Sequence, residues 1–92
     1  MAKIFVVRYE NQADVSAFEV RYENQADLLV YIVKYENQSE DDAHWFYVKR
    51  ENQASTKIYW AKYENQASLK IHFVKYQNQA RWVTSHELRG RL

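Results

Sequence analysis

The sequence contains no cysteine and no proline, and its only glycine is Gly90. The absence of cysteine excludes a disulfide framework, thiol catalysis and cysteine-ligated zinc. A chain with a single glycine also lacks the glycine-rich loop that cradles phosphate groups in nucleotide-binding enzymes. No apolar run reaches the ~18 residues of a membrane-spanning helix, and the start of the chain does not have the pattern of a signal peptide. These absences predict a soluble cytoplasmic protein with no membrane partner and no cofactor.

The composition is that of one small folded domain. The chain has 92 residues, of which 47% are hydrophobic and 16% aromatic, so it is too apolar for a disordered chain. A domain of this length buries roughly 60–65% of the surface of its unfolded chain, which allows a modest core. We therefore interpret residues 1–92 as a single domain.

The net charge is close to zero, but acidic and basic residues are unevenly distributed along the chain. Thirteen Lys and Arg against twelve Asp and Glu give a net charge of +1, which argues against the basic surface of most nucleic-acid-binding proteins. Residues 1–42 contain four basic and nine acidic residues, a net charge of −5, whereas residues 43–92 contain nine basic and three acidic, a net charge of +6. Either the two halves pair electrostatically, within one chain or in a homodimer, or the copies of a repeat have drifted apart.

A thirteen-residue repeat dominates the sequence. The dipeptide Asn-Gln recurs six times, at spacings of 13, 13, 15, 13 and 13 residues. Its positions are Asn11-Gln12, Asn24-Gln25, Asn37-Gln38, Asn52-Gln53, Asn65-Gln66 and Asn78-Gln79. Tyrosine stands two places before the asparagine in five copies, Arg50 replaces it in the fourth, and a lysine or arginine precedes it in all six. We conclude that the domain is built from six copies spanning residues 4–81, followed by a C-terminal strand or tail at 82–92.

Each copy begins with a run of residues that favour β-strands. The runs are Ile4–Tyr9, Ala17–Tyr22, Val30–Tyr35, Trp45–Arg50, Ile58–Tyr63 and Ile71–Tyr76. Alternate residues of a strand face opposite sides, so Phe5, Val7 and Tyr9 share one face, and this face is similar in every copy. We predict that this uniform face forms the core and that the variable face, which begins at Ile4, is only partly covered.

The repeat length restricts the path of the chain. Turns are expected at the Glu-Asn-Gln segments, with asparagine replacing glycine in left-handed backbone conformations. Thirteen residues cannot hold a strand, a crossover helix and two loops. A cylindrical solenoid would be tight at this period, and a hairpin meander lacks the Asn-Gly or Asp-Gly turns that hairpins use. The residues alone therefore indicate an all-β protein with an unusual strand path.

The iterated Tyr-Glu-Asn-Gln-Ala-Asp blocks, the opening Ala2-Lys3-Ile4-Phe5-Val6 and the length of 92 residues resemble the septoil-knot domain family. Its members are small bacterial proteins whose backbone is described as a seven-crossing torus knot. The resemblance covers residues 2–82 and implies a closed, knotted, all-β chain, for which Trp82–Leu88 would supply a seventh strand. It implies no enzyme activity, cofactor or catalytic residue. If the segments wind a ring twice, each strand will neighbour strands three or four copies away, and acidic early copies will alternate with basic late copies.

No residue stands out as a catalytic or metal-binding group. The carboxylates Glu10, Glu23, Glu36, Glu51 and Glu64 occupy equivalent positions two residues after the repeated bases, and we interpret them as interleaved with those bases in a girdle of ion pairs. The histidines His44, His72 and His86 do not have the spacing of a zinc site. His44 beside Glu40-Asp41-Asp42 leaves two alternatives to a solvated acidic loop: a weak divalent-metal site, or an enzyme site with a perturbed carboxylate. We favour the solvated loop and assign no catalytic, cofactor-binding or metal-binding residue.

The sequence leaves the function and the partner open. Our main hypothesis is a non-enzymatic structural or interaction module that unfolds slowly. The alternative is a single-stranded nucleic-acid-binding module on the C-terminal half. It would use Trp45, Tyr47, Trp60, Phe73 and Trp82 together with Lys49, Lys57, Lys62, Lys70 and Lys75. The tail that ends at Leu92 is expected to fray.

Overall fold

The computed structural model describes residues 2–92, which form seven short strands joined by six single-turn 3-10 helices. The strands are β1 (Lys3–Val6), β2 (Val15–Glu19), β3 (Leu28–Ile32), β4 (His44–Tyr47), β5 (Thr56–Trp60), β6 (Leu69–Phe73) and β7 (Arg81–Trp82). The turns are Glu10–Gln12, Glu23–Gln25, Glu36–Gln38, Glu51–Gln53, Glu64–Gln66 and Gln77–Gln79. The prediction of an all-β chain with about seven strands is confirmed. Within residues 2–92 no helix is long and apolar enough to cross a membrane.

The turns lie where the repeat predicts them, but their conformation differs from the expectation. In every copy the glutamine N–H donates to the carbonyl three residues earlier, as from Gln12 to Tyr9 at 3.1 Å. A second bond of this kind runs from Ala13 N–H to Glu10 O, also at 3.1 Å. No residue other than glycine has a positive φ in the described chain, so the expected left-handed asparagine is wrong. A 3-10 turn uses right-handed backbone angles throughout, which explains how the chain turns six times with neither proline nor glycine.

Six parallel strands close into a ring in the order β4-β1-β5-β2-β6-β3, and β3 pairs back to β4. The first lap of the chain supplies β1 to β3, and the second lap places β4 to β6 between them. Five of the six parallel pairings therefore join strands three or four copies apart, as with Lys3 opposite Phe46 and Ile4 opposite Thr56. The predicted double winding and the alternation of acidic with basic copies are confirmed. The exception is β3 with β4, where consecutive copies pair and the two-residue insertion lies.

A circle of equivalent hydrogen bonds closes the ring at the C-terminal ends of the strands. In each copy the first residue after the observed strand donates its N–H to a core carbonyl of a neighbouring strand, at 2.7–2.9 Å. The six bonds run from Val7 to Ile58, Val20 to Ile71, Val33 to Trp45, Val48 to Ile4, Ala61 to Ala17 and Val74 to Val30. Because each strand pairs on both sides, the six-stranded ring has no open edge that could recruit another chain.

The core lies on the face opposite to the one predicted. Inward positions of the six strands are buried, including Ile4, Ala17 and Trp45 at 0% exposure, whereas Phe5 is half-buried and Tyr9 is 59% exposed. Tyr9 has the same parity as Phe5 along the chain, so the alternation of side chains places both residues on the outer side of the ring. The prediction that the uniform face forms the main core is therefore wrong. The middle position of that face is nevertheless buried in four copies, at Val7, Val20, Val33 and Ala61. Val20 belongs to a second, smaller cluster with Ala26 and Leu29.

The inward face varies between copies because all six strands fill one shared interior. Trp45 of β4, the largest core side chain, occupies the same repeat position as Ala17 of β2. β2 and β4 are three strands apart in either direction, so the smallest and the largest residues stand on opposite sides of the ring. A close-packed interior requires complementary volumes rather than equal ones, so variation between copies here marks the core.

The C-terminal segment departs from the prediction in two respects. The seventh strand is two residues long and pairs antiparallel with β3, rather than extending over Trp82–Leu88. The tail that follows does not fray, because Leu92 is 3% exposed and belongs to the main core with Leu88 packed against it. This apolar contact holds residues 83–92 against the ring.

Candidate interaction site at the open end of the ring

The end of the ring where the strands begin is closed by the C-terminal tail. Asp42, just before β4, is 5% exposed and accepts three N–H groups. Its Oδ2 accepts the indole N–H of Trp82 at 2.9 Å and the backbone N–H of Gly90, and its Oδ1 accepts the N–H of Leu92 at 3.0 Å. Hydrogen bonds to an ionised group are among the stronger ones, so this carboxylate holds the tail at three points.

Further polar contacts fix the tail at its two ends. The carbonyl of Leu92 accepts the hydroxyls of Ser55 at 2.7 Å and Thr56 at 3.0 Å. The ring of His86 stacks on Trp82 with centroids 5.5 Å apart, its Nε2 lies 2.8 Å from Ser68 O, and its Nδ1 accepts Leu88 N–H at 3.1 Å. These polar groups are hydrogen-bonded within the chain, so the tail covers the strand starts and leaves a groove beside the loop that precedes β4.

The opposite end, where the strands finish, is open. The last inward positions of the six strands are Val6, Glu19, Ile32, Tyr47, Trp60 and Phe73. Val6 is 43% exposed, Tyr47 39% and Ile32 37%, while Trp60 and Phe73 are partly buried against the core. We call this surface the apolar floor. Trp45 lies on the core side of the apolar floor, with its ring centroid 6.5 Å from that of Trp60 and 6.2 Å from that of Phe73.

Two polar groups lie on the apolar floor and influence one another across the ring. Glu19 ends β2 and Tyr47 ends β4, and these strands are on opposite sides. Burial, and secondarily the negative charge of Glu19, raise the pKa of the Tyr47 hydroxyl above that of free tyrosine. The open end therefore presents a carboxylate acceptor, Glu19, and the hydroxyl of Tyr47 on a mainly apolar surface, to which the indole of Trp60 adds an N–H donor.

Six exposed bases surround the apolar floor. Each base directly follows the residue whose N–H closes the ring, so all six occupy equivalent places at the C-terminal edge. We call this set the basic rim; its members are Arg8, Arg21, Lys34, Lys49, Lys62 and Lys75. None of them is in an ion pair within residues 2–92.

The repeated glutamates pair with other cations than the sequence suggested. Glu36, Glu51 and Glu64 lie 3.3–3.5 Å from the strand lysines Lys3, Lys57 and Lys70. These lysines are on the outer wall of the ring, near the strand starts, so the expected girdle of ion pairs with the repeated bases is wrong. All three ion pairs join residues of the same half of the chain. Alternation of the two halves around the ring therefore does not create ion pairs between acidic and basic copies.

The aromatic and basic surface proposed for the C-terminal half does not exist as one unit. Trp45 is fully buried, and Trp82 lies at the closed end against Asp42. Lys57 and Lys70 are held by glutamates on the outer wall. The structure instead brings Tyr47, Trp60 and Phe73 together at the open end and adds basic side chains from both halves.

Hydrogen bonds of His44 fix the loop before β4 within the chain. His44 Nδ1 lies 2.6 Å from Asp41 Oδ1 and Nε2 lies 3.2 Å from Gln77 O, so both ring nitrogens face acceptors. Burial alone would raise the pKa of Asp41, but hydrogen bonds from His44 and Ala43 and the charge of His44 outweigh it and lower that pKa below its usual value. A groove between this loop and the tail is lined by Asp41, Arg81 and Arg89. The neighbouring Asp42 carboxylate points at the tail, so the acidic side chains of the loop do not converge, and no group of three potential metal ligands is found in the described part of the chain.

Sequence reasoning did not identify Glu19 or the apolar floor. The basic residues were recognised as a fixed feature of the repeat, but they were assigned to ion pairs. The signal that could have found the floor is the third position of each β-type run, which varies from Val6 to Glu19 to Ile32 between copies. Reading that signal requires knowing that the inward face is the variable one.

A closed ring of short parallel strands, wound twice by repeats and sealed at one end by its own tail, defines a class of all-β repeat protein. The model of the 7(1) septoil knot domain family matches residues 1–83 of the 92, and the chain belongs to that family. Neither the curated proteins nor the solved structures include a match to this chain.

Proposed function

We propose that this protein is a non-enzymatic interaction module of high kinetic stability, and that its contact surface is the open end of the ring. The observation that carries the proposal is the difference between the two ends. One is sealed by Asp42 and Leu92, whereas the other exposes Val6, Ile32 and Tyr47 inside the basic rim. Exposed apolar side chains gathered on one surface and bordered by polar groups are typical of interaction sites.

The path of the chain supports slow unfolding. Every strand of the first lap lies between two strands of the second lap, so none can leave without breaking backbone hydrogen bonds on both sides. Local fraying is opposed at both ends of the described chain, since Ala2 is fully buried and Leu92 nearly so. We expect an unfolding rate constant at or below ~10⁻⁵ s⁻¹ in water, near the slow end for small domains.

The hydrogen bonds of His44 and Asp41 are in keeping with the non-enzymatic assignment. Both nitrogens of His44 are occupied, and the pKa of Asp41 is shifted away from that of a proton donor at neutral pH. A catalytic activity that Asp41→Asn abolishes while the fold is retained would contradict this part of the proposal. We further propose a cytoplasmic location in a bacterium, in keeping with the absence of cysteine and with the family resemblance.

Binding of an anionic aromatic dye such as 1-anilinonaphthalene-8-sulfonate tests the contact surface. The native protein should enhance the dye fluorescence, because the dye combines an aromatic body with a negative group. Ile32→Gln should weaken the enhancement and Val83→Gln should not, although both residues are 37% exposed, because Val83 lies in the tail segment at the closed end. Equal effects of the two substitutions, or no enhancement with native protein, would show that the open end is not an accessible binding surface.

A further inference from the structure

We propose that the open end binds single-stranded nucleic acid, with phosphate groups at the basic rim and bases on the apolar floor. This inference rests on the proposed function and names the partner of the same surface. The proposed site differs from the surface that the sequence suggested on the C-terminal half, because Arg8, Arg21 and Lys34 of the first half are part of the basic rim.

The first argument is charge complementarity. The basic rim places six exposed cations at one edge, while Glu36, Glu51 and Glu64 are drawn to lysines on the outer wall. Glu19 is the one acidic residue among the last inward positions of the strands. Glu10 and Glu23 follow Arg8 and Arg21 by two residues and have no such lysine partner within residues 2–92. The six cations still outnumber these two glutamates and Glu19, so the edge carries an excess of positive charge that the overall charge of +1 conceals. A nucleic acid strand supplies one negative charge per nucleotide to such an edge.

The second argument is the aromatic character of the floor. Tyr47 is 39% exposed, and Trp60 and Phe73 pack with ring centroids 6.0 Å apart beside it. Base stacking on aromatic side chains, together with a cationic surface, is the usual basis of single-strand binding. The bases of a duplex are already stacked and paired, so the floor should favour a single strand.

The third argument is Glu19, which distinguishes a nucleic acid from other partners. A carboxylate can accept the amino groups of base edges, such as N4 of cytosine. Hydrocarbon of an anionic bilayer would leave the same carboxylate buried without a partner, at a considerable energetic cost. A second copy docked on this end would bring two basic rims into opposition. An acidic peptide would meet Glu19 with a charge of the same sign.

Salt-dependent binding to labelled oligocytidylate DNA of about 12 nucleotides, measured by fluorescence anisotropy, tests the charge argument. The triple variant Lys34→Gln, Lys62→Gln, Lys75→Gln removes half of the rim. The triple variant Lys3→Gln, Lys57→Gln, Lys70→Gln removes the same charge from the outer wall. The rim variant should reduce the slope of log K against log salt by about 2, because each phosphate contact with a single strand contributes roughly 0.7. The wall variant should leave the slope unchanged.

Two further substitutions test the floor. Tyr47→Ala should weaken binding at least about fivefold, the lower end of the range for one stacked base. Tyr76→Ala is the matched control, since Tyr76 is 65% exposed and lies in a turn segment outside the floor. Glu19→Gln should narrow the preference for oligocytidylate over oligothymidylate, because thymine has no amino group to donate. Circular dichroism confirms that each variant is folded.

The proposal is overturned if native protein does not bind the oligonucleotide at about 50 mM salt. It is also overturned if both triple variants lose binding equally, or if a duplex of the same length binds as tightly. Binding to anionic phospholipid vesicles or to an oligoglutamate peptide, in place of the oligonucleotide, would also overturn the proposal. Enhancement of dye fluorescence without oligonucleotide binding would leave the interaction surface standing and remove this partner.

Discussion

Substitution of Asp42 by asparagine should release the tail and leave the ring intact. The asparagine keeps one carbonyl oxygen but replaces the other oxygen with an NH₂ group. That group faces N–H donors of Trp82, Gly90 or Leu92, with which it cannot form a hydrogen bond. Because the site is 5% exposed, water cannot readily replace the lost partner.

The expected size of this effect follows from the three bonds. A hydrogen bond to a charged group contributes about 1.5–3 kcal/mol, and the substitution removes one or two of them. We expect the free energy of tail docking to fall by about 3 kcal/mol, which corresponds to roughly a hundredfold increase in local opening. Leu92 also loses its place in the core when the tail opens.

Amide hydrogen exchange followed by NMR measures this opening. The N–H groups of Gly90 and Leu92 and the indole N–H of Trp82 should exchange about a hundredfold faster, while those of Val7 and Val20 in the ring should not change. Asp14→Asn is the matched control, because Asp14 occupies the same repeat position but is exposed and accepts only Lys57 N–H, at 2.9 Å, in residues 2–92. Unchanged exchange in the tail, or equal acceleration throughout the ring, would refute the assignment of Asp42 as the residue that holds the tail.

Three further predictions concern the core, the open end and the tail. Trp45→Ala should lower the free energy of unfolding by about 3–5 kcal/mol, and Ala17→Leu by about 1–3 kcal/mol through overpacking. In denaturant titrations the double variant should lose less stability than the sum of the two single losses. Strict additivity would show that the two sites do not share one interior. The pKa of Tyr47 is raised, so the hydroxyl stabilises the fold fully below the pKa of free tyrosine, ~10, and this contribution is lost as pH rises through the folded pKa. In an absorbance titration, Tyr47→Phe should lose a tyrosine that ionises above the pKa of free tyrosine. Glu19→Gln should lower the pKa of Tyr47, and an unchanged titration in Glu19→Gln would contradict their coupling. Gly90 has a φ of 82°, and no atom lies near the position of an added Cβ. Gly90→Ala should therefore weaken tail docking by about 1 kcal/mol through backbone strain alone. Amide hydrogen exchange in the tail at the wild-type rate would exclude this strain.

Much of the local structure could be predicted from the residues. The Glu-Asn-Gln turns lie at the expected places, because they depend on side chains a few residues apart. Each strand overlaps its predicted run but begins one or two residues earlier and ends three residues earlier, so the tyrosine or arginine at the end of the run is outside the strand. The backbone of the turn was predicted incorrectly, since the absence of glycine suggested a left-handed substitute. Arg50 shows that the turn does not need tyrosine, because Gln53 N–H bonds to its carbonyl at 3.1 Å as in the other copies.

The candidate site could not be predicted in the same way. Glu19 and Tyr47 are 28 residues apart in sequence and meet only because β2 and β4 face each other across the ring. The glutamate ion pairs Glu51–Lys57 and Glu64–Lys70 are local, with partners six residues apart. Glu36 and Lys3, in contrast, are 33 residues apart and are brought together by the winding of the chain. Such long-range contacts require the winding order, and a repeat pattern alone permits several such orders.

The sequence by itself determined the period, the all-β character and the six turns, because these follow from propensities and spacings within one copy. The tertiary structure decided which face became the core, which end was sealed and where the basic residues gather. The reason is that one copy cannot bury its own apolar face, so the inward direction exists only once two laps of chain have enclosed a common interior. Copies that are nearly alike in sequence then acquire different surroundings, and the last inward residues become either part of that interior or the floor of an open end.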